Sequence, residues 1–197
     1  IGYEAMKVHT TGNRNMAIGY GVMNDTDAGS TSLGSSDNMF IGYDAGGGTW
    51  TNAVAQYNVG IGNYVMDAAI AGAEYNTAVG FNSLGAITSG AQNTALGTQA
   101  GQNITSGTAN ITIGVQSGVT MTTTQYTVLI GNSAGTAINS TDANGTVAIG
   151  YAALAALTDG QSNIAIGQNA GNEITTGNQN TVIGYEAGSE LKDDTGN

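Results

Sequence analysis

The stretch "SNIAIGQNAGNEITTGNQNTVIGYEAG", residues 162–188, contains one short pattern twice, at an interval of 17 residues. Each copy has an Asn, three uncharged residues ending in Ile, and a Gly. Aligning the chain on that Gly gives eleven copies, at Gly2, Gly19, Gly42, Gly62, Gly80, Gly97, Gly114, Gly131, Gly150, Gly167 and Gly184. Six of the ten intervals are 17 residues long and the other four are longer. A period that is only ever lengthened is typical of a solenoid. We therefore predict an all-β fold, a parallel β-solenoid (β-roll) of about eleven stacked coils, in which residues 1–197 form a single repeat array.

Recurring residue types around the Gly predict a short strand in each coil. The residue before the Gly is always aliphatic, and the residue two positions earlier is Met, Val, Ile or Thr. Side chains alternate between the faces of a strand, so these two columns share a face, and we predict that this face lines the coil interior. An Asn four residues before the Gly in eight copies predicts hydrogen bonds between stacked Asn side chains. A second apolar column lies seven residues after the Gly, at Ile87, Ile104, Met121, Ile138, Leu157, Ile174 and Leu191.

The middle residue of each predicted strand is expected to point outward. These residues are all uncharged: Ala17, Phe40, Gly60, Ala78, Ala95, Thr112, Leu129, Ala148, Ala165 and Val182. A strand that is apolar on both faces is normally covered on both. We therefore expect the outward face to pack against another copy of the chain, the alternative being a weakly apolar stripe on a monomer.

Composition excludes several classes of protein. The chain has 32 Gly, no Pro, no Cys and 9% charged residues, yet 40% of its residues are apolar, which favours a folded chain over a disordered one. A net charge of −11 opposes nucleic-acid binding. No apolar run approaches the roughly 20 residues of a membrane helix, so no membrane insertion is expected.

Stretches such as "NTAVGFNSLG" and "QNTALGTQAGQNITSG", together with residues 162–188, resemble the tail-fibre repeats of tailed bacteriophages. They are also similar to the head repeats of trimeric autotransporter adhesins, although the 17-residue period is closer to the phage repeats. The resemblance implies a parallel homotrimer in a virion tail fibre or at a cell surface. It also implies a structural and adhesive role as a rigid trimeric shaft that contacts host surface glycans. The alternatives are a self-assembling extracellular filament and an adhesin head.

Chemistry-bearing residues are sparse. The chain has one His, at His9, and its acids are mostly isolated. No nucleophile–base pair, carboxylate pair or zinc spacing is recognisable, so we expect no enzyme activity, no metal and no cofactor. The alternative is a hydrolase site shared between the subunits of a trimer, which one chain would not show. An ice-binding array would need a regular Thr column, and the one beside the Gly is interrupted by Met, Val and Ile.

The longest intervals predict enlarged loops at 24–36 and 46–56. Loops on solenoid corners often form the binding face. Trp50, the sole Trp, lies in the second loop, and we predict that Trp50, Tyr43 and Tyr57 contact a cell-surface saccharide. The alternative is that Trp50 folds back to fill a groove. Further aromatic residues directly follow the Gly, at Tyr3, Tyr20, Tyr43, Phe81, Tyr151 and Tyr185.

Overall fold

A computed structural model describes residues 1–9, 12–26, 34–51, 53–192 and 196. Its strands are short, and each follows the Asn of its repeat: β1 Met16–Ile18, β2 Met39–Ile41, β3 Val59–Ile61, β4 Thr77–Val79, β5 Thr94–Leu96, β6 Ile111–Ile113, β7 Val128–Ile130, β8 Val147–Ile149, β9 Ile164–Ile166 and β10 Thr181–Ile183. They form a single parallel sheet in chain order, and one 3₁₀ turn, Thr141–Ala143, precedes β8. The predicted all-β parallel solenoid is confirmed.

Every pair of neighbouring strands has the same register. The middle residue of one strand always pairs with the middle residue of the next, as in Ala148 with Ala165. Hydrogen bonding continues beyond the strands, since Thr88 N–H donates to the Thr105 carbonyl and Thr105 N–H to the Thr122 carbonyl, both at 2.9 Å. At about 4.8 Å per strand, the sheet extends for about 45 Å.

Ten strands are present where the repeat predicted about eleven coils. The first copy, Ile1 and Gly2, forms no strand in the described part of the chain. Its backbone nevertheless meets β1, because the Ile1 carbonyl accepts a hydrogen bond of 2.8 Å from Gly19 N–H.

The prediction that the aliphatic columns line the coil interior is wrong. The middle residue of each strand is buried, and the two flanking residues lie on the outer surface. Ala165 has no exposed surface, whereas its neighbour Ile166 is 37% exposed. The reason lies across the coil, where the large side chains of the second apolar column from Ile87 to Ile174 are fully buried. These side chains fill a narrow interior, which leaves room mainly for Ala opposite them.

Larger residues in the middle column fit into the interior because glycines lie beside them. Phe40 is fully buried in β2, and the residue beside it in β3 is Gly60. A Cβ at Gly60 would lie 2.5 Å from Cδ1 of Phe40. Leu129 likewise lies close to Gly118 and Gly135. The interior is therefore packed by pairs of positions whose volumes compensate.

The predicted Asn column forms a buried hydrogen-bonded ladder. Asn93 donates from its backbone N–H and from Nδ2 to Oδ1 of Asn76, both at 3.0 Å. Asn93 Nδ2 also donates to the Gly107 carbonyl, and Asn93 Oδ1 accepts from the backbone and side chain of Asn110. The chain of amides ends at Thr127, whose hydroxyl donates to Asn110 Oδ1 at 2.9 Å. Each amide thus satisfies backbone groups that the interior hides from water.

We expect Asn93→Leu to lower the free energy of unfolding by about 3 kcal/mol, because it leaves the Gly107 carbonyl and the Asn110 backbone N–H buried without partners. Asn93→Thr is the matched control, since Thr127 already occupies this column and keeps one side-chain bond. Urea unfolding of the two variants measures the difference. Equal stability of Asn93→Leu and the parent would contradict a stabilising ladder.

Candidate functional site

The outer surface of the sheet is continuously apolar. We call the first and third residues of β1–β10 the outer stripe; 17 of these 20 residues are Ile, Val, Leu or Met and the other three are Thr. Ile61, Leu96 and Ile166 are each exposed by slightly more than a third. None of the twenty is charged. Exposed apolar surface that continues for about 45 Å is typical of an interaction surface.

One edge of the outer stripe carries a row of aromatic side chains. This ladder edge consists of residues that follow β1–β4 or precede β1: Tyr3, Tyr20, Tyr43, Tyr64 and Phe81. Successive ring centroids are 5.3, 5.2, 5.4 and 5.8 Å apart. The rings of Tyr3, Tyr20 and Tyr43 stack nearly in parallel, so their faces cover one another. Ring edges and hydroxyls therefore meet the solvent there, and Tyr20 has no free face for a sugar ring.

The opposite edge of the outer stripe lies two residues before each strand. Arg14 forms a bidentate ion pair with Asp37, with Nε to Oδ1 at 2.5 Å and Nη2 to Oδ2 at 2.7 Å. The rings of Tyr57 and Tyr75 stack at 5.0 Å with an interplanar angle of 13°. We call these four residues the opposite edge. It carries charge and aromatic surface beside the same strands that the ladder edge flanks.

Trp50 is not displayed in a loop, so that prediction is wrong. It is fully buried, its Nε1 donates to the Gly46 carbonyl at 3.0 Å, and its ring meets Phe40 edge-on at 5.9 Å. Trp50 follows Gly42 by eight residues, as Ile70 follows Gly62, so both belong to the second apolar column displaced by one position. The spacing that assigns Trp50 to the second apolar column is therefore present in the sequence, but only an alignment that allows a one-residue insertion reveals it.

The other two predicted saccharide contacts are exposed but separate. Tyr43 is 42% exposed on the ladder edge, and Tyr57 is 45% exposed on the opposite edge. The strands between them keep the two apart, so they form no common site with Trp50. Their contact with a saccharide stays a prediction.

The structure describes most of the predicted enlarged loop at 46–56 but only part of the one at 24–36. Residues 27–33 of the 24–36 segment lie outside the described residues. The described part of 46–56 belongs to the solenoid wall, because Ala55 is buried with Trp50 and the Thr51 N–H donates to the Ile70 carbonyl at 2.9 Å. The described residues of 46–56 therefore belong to the coil and not to a projecting loop.

Acidic side chains gather beside the ladder edge. Partial burial, with a smaller contribution from the nearby Asp44 carboxylate, raises the pKa of Asp67 to about 6. Burial also raises the pKa of Tyr20, and the negative charges of Glu4 and Asp44 add to that shift. Glu4 forms an ion pair with Lys7 Nζ at 2.8 Å that offsets its charge, so the carboxylates of Asp44 and Asp67 supply the negative charge beside the ladder edge.

Within the described ranges, no group of three or more His, Cys, Asp or Glu residues is placed to hold a metal ion. The same residues include no helix long and apolar enough to span a membrane.

The fold and this surface define a parallel β-solenoid repeat protein with one exposed apolar face. Comparison with protein-family models, curated proteins and solved structures finds no match to this chain.

Proposed function

We propose that this chain is a structural segment of a fibre, in which three parallel copies bury their outer stripes around a common axis. The observation that carries the proposal is the outer stripe itself, which is uncharged along all ten strands. Charged residues are common on exposed strands because they prevent association between copies. Their complete absence from this face favours a covered surface.

The energetics of the stripe also favour association along its whole length. Covering the exposed third of an aliphatic side chain contributes roughly 0.5–1 kcal/mol, by scaling the value for full burial. Association costs about 4–15 kcal/mol, but it is a single cost for the whole rod. Because each coil adds a similar contribution, an array of ten strands offsets a cost that a few coils would not.

The repeat resemblance supplies the setting. Repeats of this kind occur in the tail fibres of tailed bacteriophages, so we place the rod in a virion fibre that works outside the host cell. A trimeric shaft would hold other parts of such a fibre at a fixed distance, since a continuous sheet with constant register resists bending. A cell-surface adhesin would use the same rod in the same way.

Light scattering tests the assembly. We expect a particle with three times the 19.6 kDa chain mass at micromolar concentration, and discrete rods by electron microscopy. A single 19.6 kDa species would contradict the proposal. Fibres that grow without limit would favour the extracellular-filament alternative.

A further inference from the structure

The two edges of the outer stripe carry matching residues beside β1, β3 and β4, and we propose that the copies associate in parallel and in register, with the ladder edge of one copy against the opposite edge of the next. This inference rests on the proposed parallel association and adds the register and the contacting residues.

Residues that attract one another flank the same strand. Tyr57 precedes β3 and Tyr64 follows it. Tyr75 and Phe81 flank β4 in the same way, and Arg14 and Tyr20 flank β1. Contact between copies would therefore join aromatic rings at β3 and β4. At β1 it would bring the Arg14 guanidinium to the exposed hydroxyl of Tyr20, whose oxygen can accept a hydrogen bond.

Symmetry decides which edges meet. Rotation about an axis parallel to the rod keeps each strand at its own height and turns one edge of a copy toward the other edge of its neighbour. Tyr57 then meets Tyr64 of the next copy. In a face-to-face antiparallel pair with full overlap, like edges meet in reverse order, and Tyr64 beside β3 would meet Tyr151 beside β8.

Engineered disulfides test the pairing without interference, because the chain has no Cys. The double variant Tyr57→Cys with Tyr64→Cys places the thiols at the two ends of β3. Within one chain six residues separate them, three of them in the extended strand β3, so a disulfide, which needs Cα atoms within about 7 Å, must join two copies. We expect mild oxidation to give a covalent trimer on a non-reducing gel, which reduction returns to single chains.

The control is Tyr64→Cys with Tyr151→Cys, which reports antiparallel pairing and is expected to stay uncross-linked. Circular dichroism and light scattering of the reduced variants establish that both are folded and assembled. Cross-linking of the control pair, or of neither pair in an assembled particle, would overturn the proposed edge contact while leaving self-association intact. If the protein without substitutions is monomeric, both the proposed function and the edge contact are wrong. A covalent dimer from the first variant would retain the edge contact and contradict the trimer.

Discussion

Ala165→Glu is expected to prevent folding of the solenoid around β9, whereas Ile166→Glu is expected to leave the solenoid folded and to dissociate the assembly. Ala165 is fully buried between Ala148 and Val182 in the middle column. A carboxylate there loses its hydration in a space that holds a methyl group, which costs far more than one side chain contributes to stability. Ile166 is 37% exposed on the outer stripe, so a charge at that position stays in water until another copy approaches.

Thermal melting and light scattering of the two variants separate folding from assembly. We expect Ala165→Glu to show little cooperative unfolding of the region around β9. Ile166→Glu should keep strand circular dichroism while its particle mass falls toward 19.6 kDa. The adjacent positions serve as controls for each other, because the added group is the same. If instead Ile166→Glu prevents folding and Ala165→Glu only lowers the particle mass, the aliphatic columns line the coil interior.

The second large effect is expected at the Gly that ends each strand. Gly114 has a φ of +124°, and a Cβ there would lie 2.5 Å from the Gly131 carbonyl oxygen in the next coil. Any side chain therefore meets both an unfavourable backbone conformation and a backbone clash that no rotamer relieves. We expect Gly114→Ala to lower the free energy of unfolding by at least about 3 kcal/mol.

The matched control is Gly34→Ala, where a Cβ meets only Val54 Cγ2 at an ordinary 3.5 Å. Because solenoid stability depends on contacts between neighbouring coils, we expect Gly114→Ala to weaken the chain locally, between β6 and β7. Limited proteolysis, mapped by mass spectrometry, should cut there first. If Gly114→Ala and Gly34→Ala have the same melting temperature, the close approach of successive coils does not require a glycine at position 114.

Some details of the surface were within reach of the sequence and others were not. Tyr3, Tyr20 and Tyr43, which directly follow the Gly, lie in one row because a constant register places equivalent positions above one another. Tyr64 was missed, since it lies two residues after its Gly and not one. How each ring is turned depends on its neighbours, so the covered faces of Tyr20 and Tyr43 were not predictable from spacing.

The parallel solenoid, its period and its Asn ladder could all be predicted from the repeat. Each follows from a local requirement that every coil repeats: a Gly where backbones nearly touch, an amide where backbone groups need partners, and three residues of strand. Which face of the strand is interior could not be predicted in the same way and depends on packing across the coil. Both faces are apolar, so alternation defines two columns without orienting them, and the choice depends on the width left by the large side chains across the coil. The same packing placed Trp50 inside, where its ring meets Phe40 edge-on and its Nε1 donates to the Gly46 carbonyl.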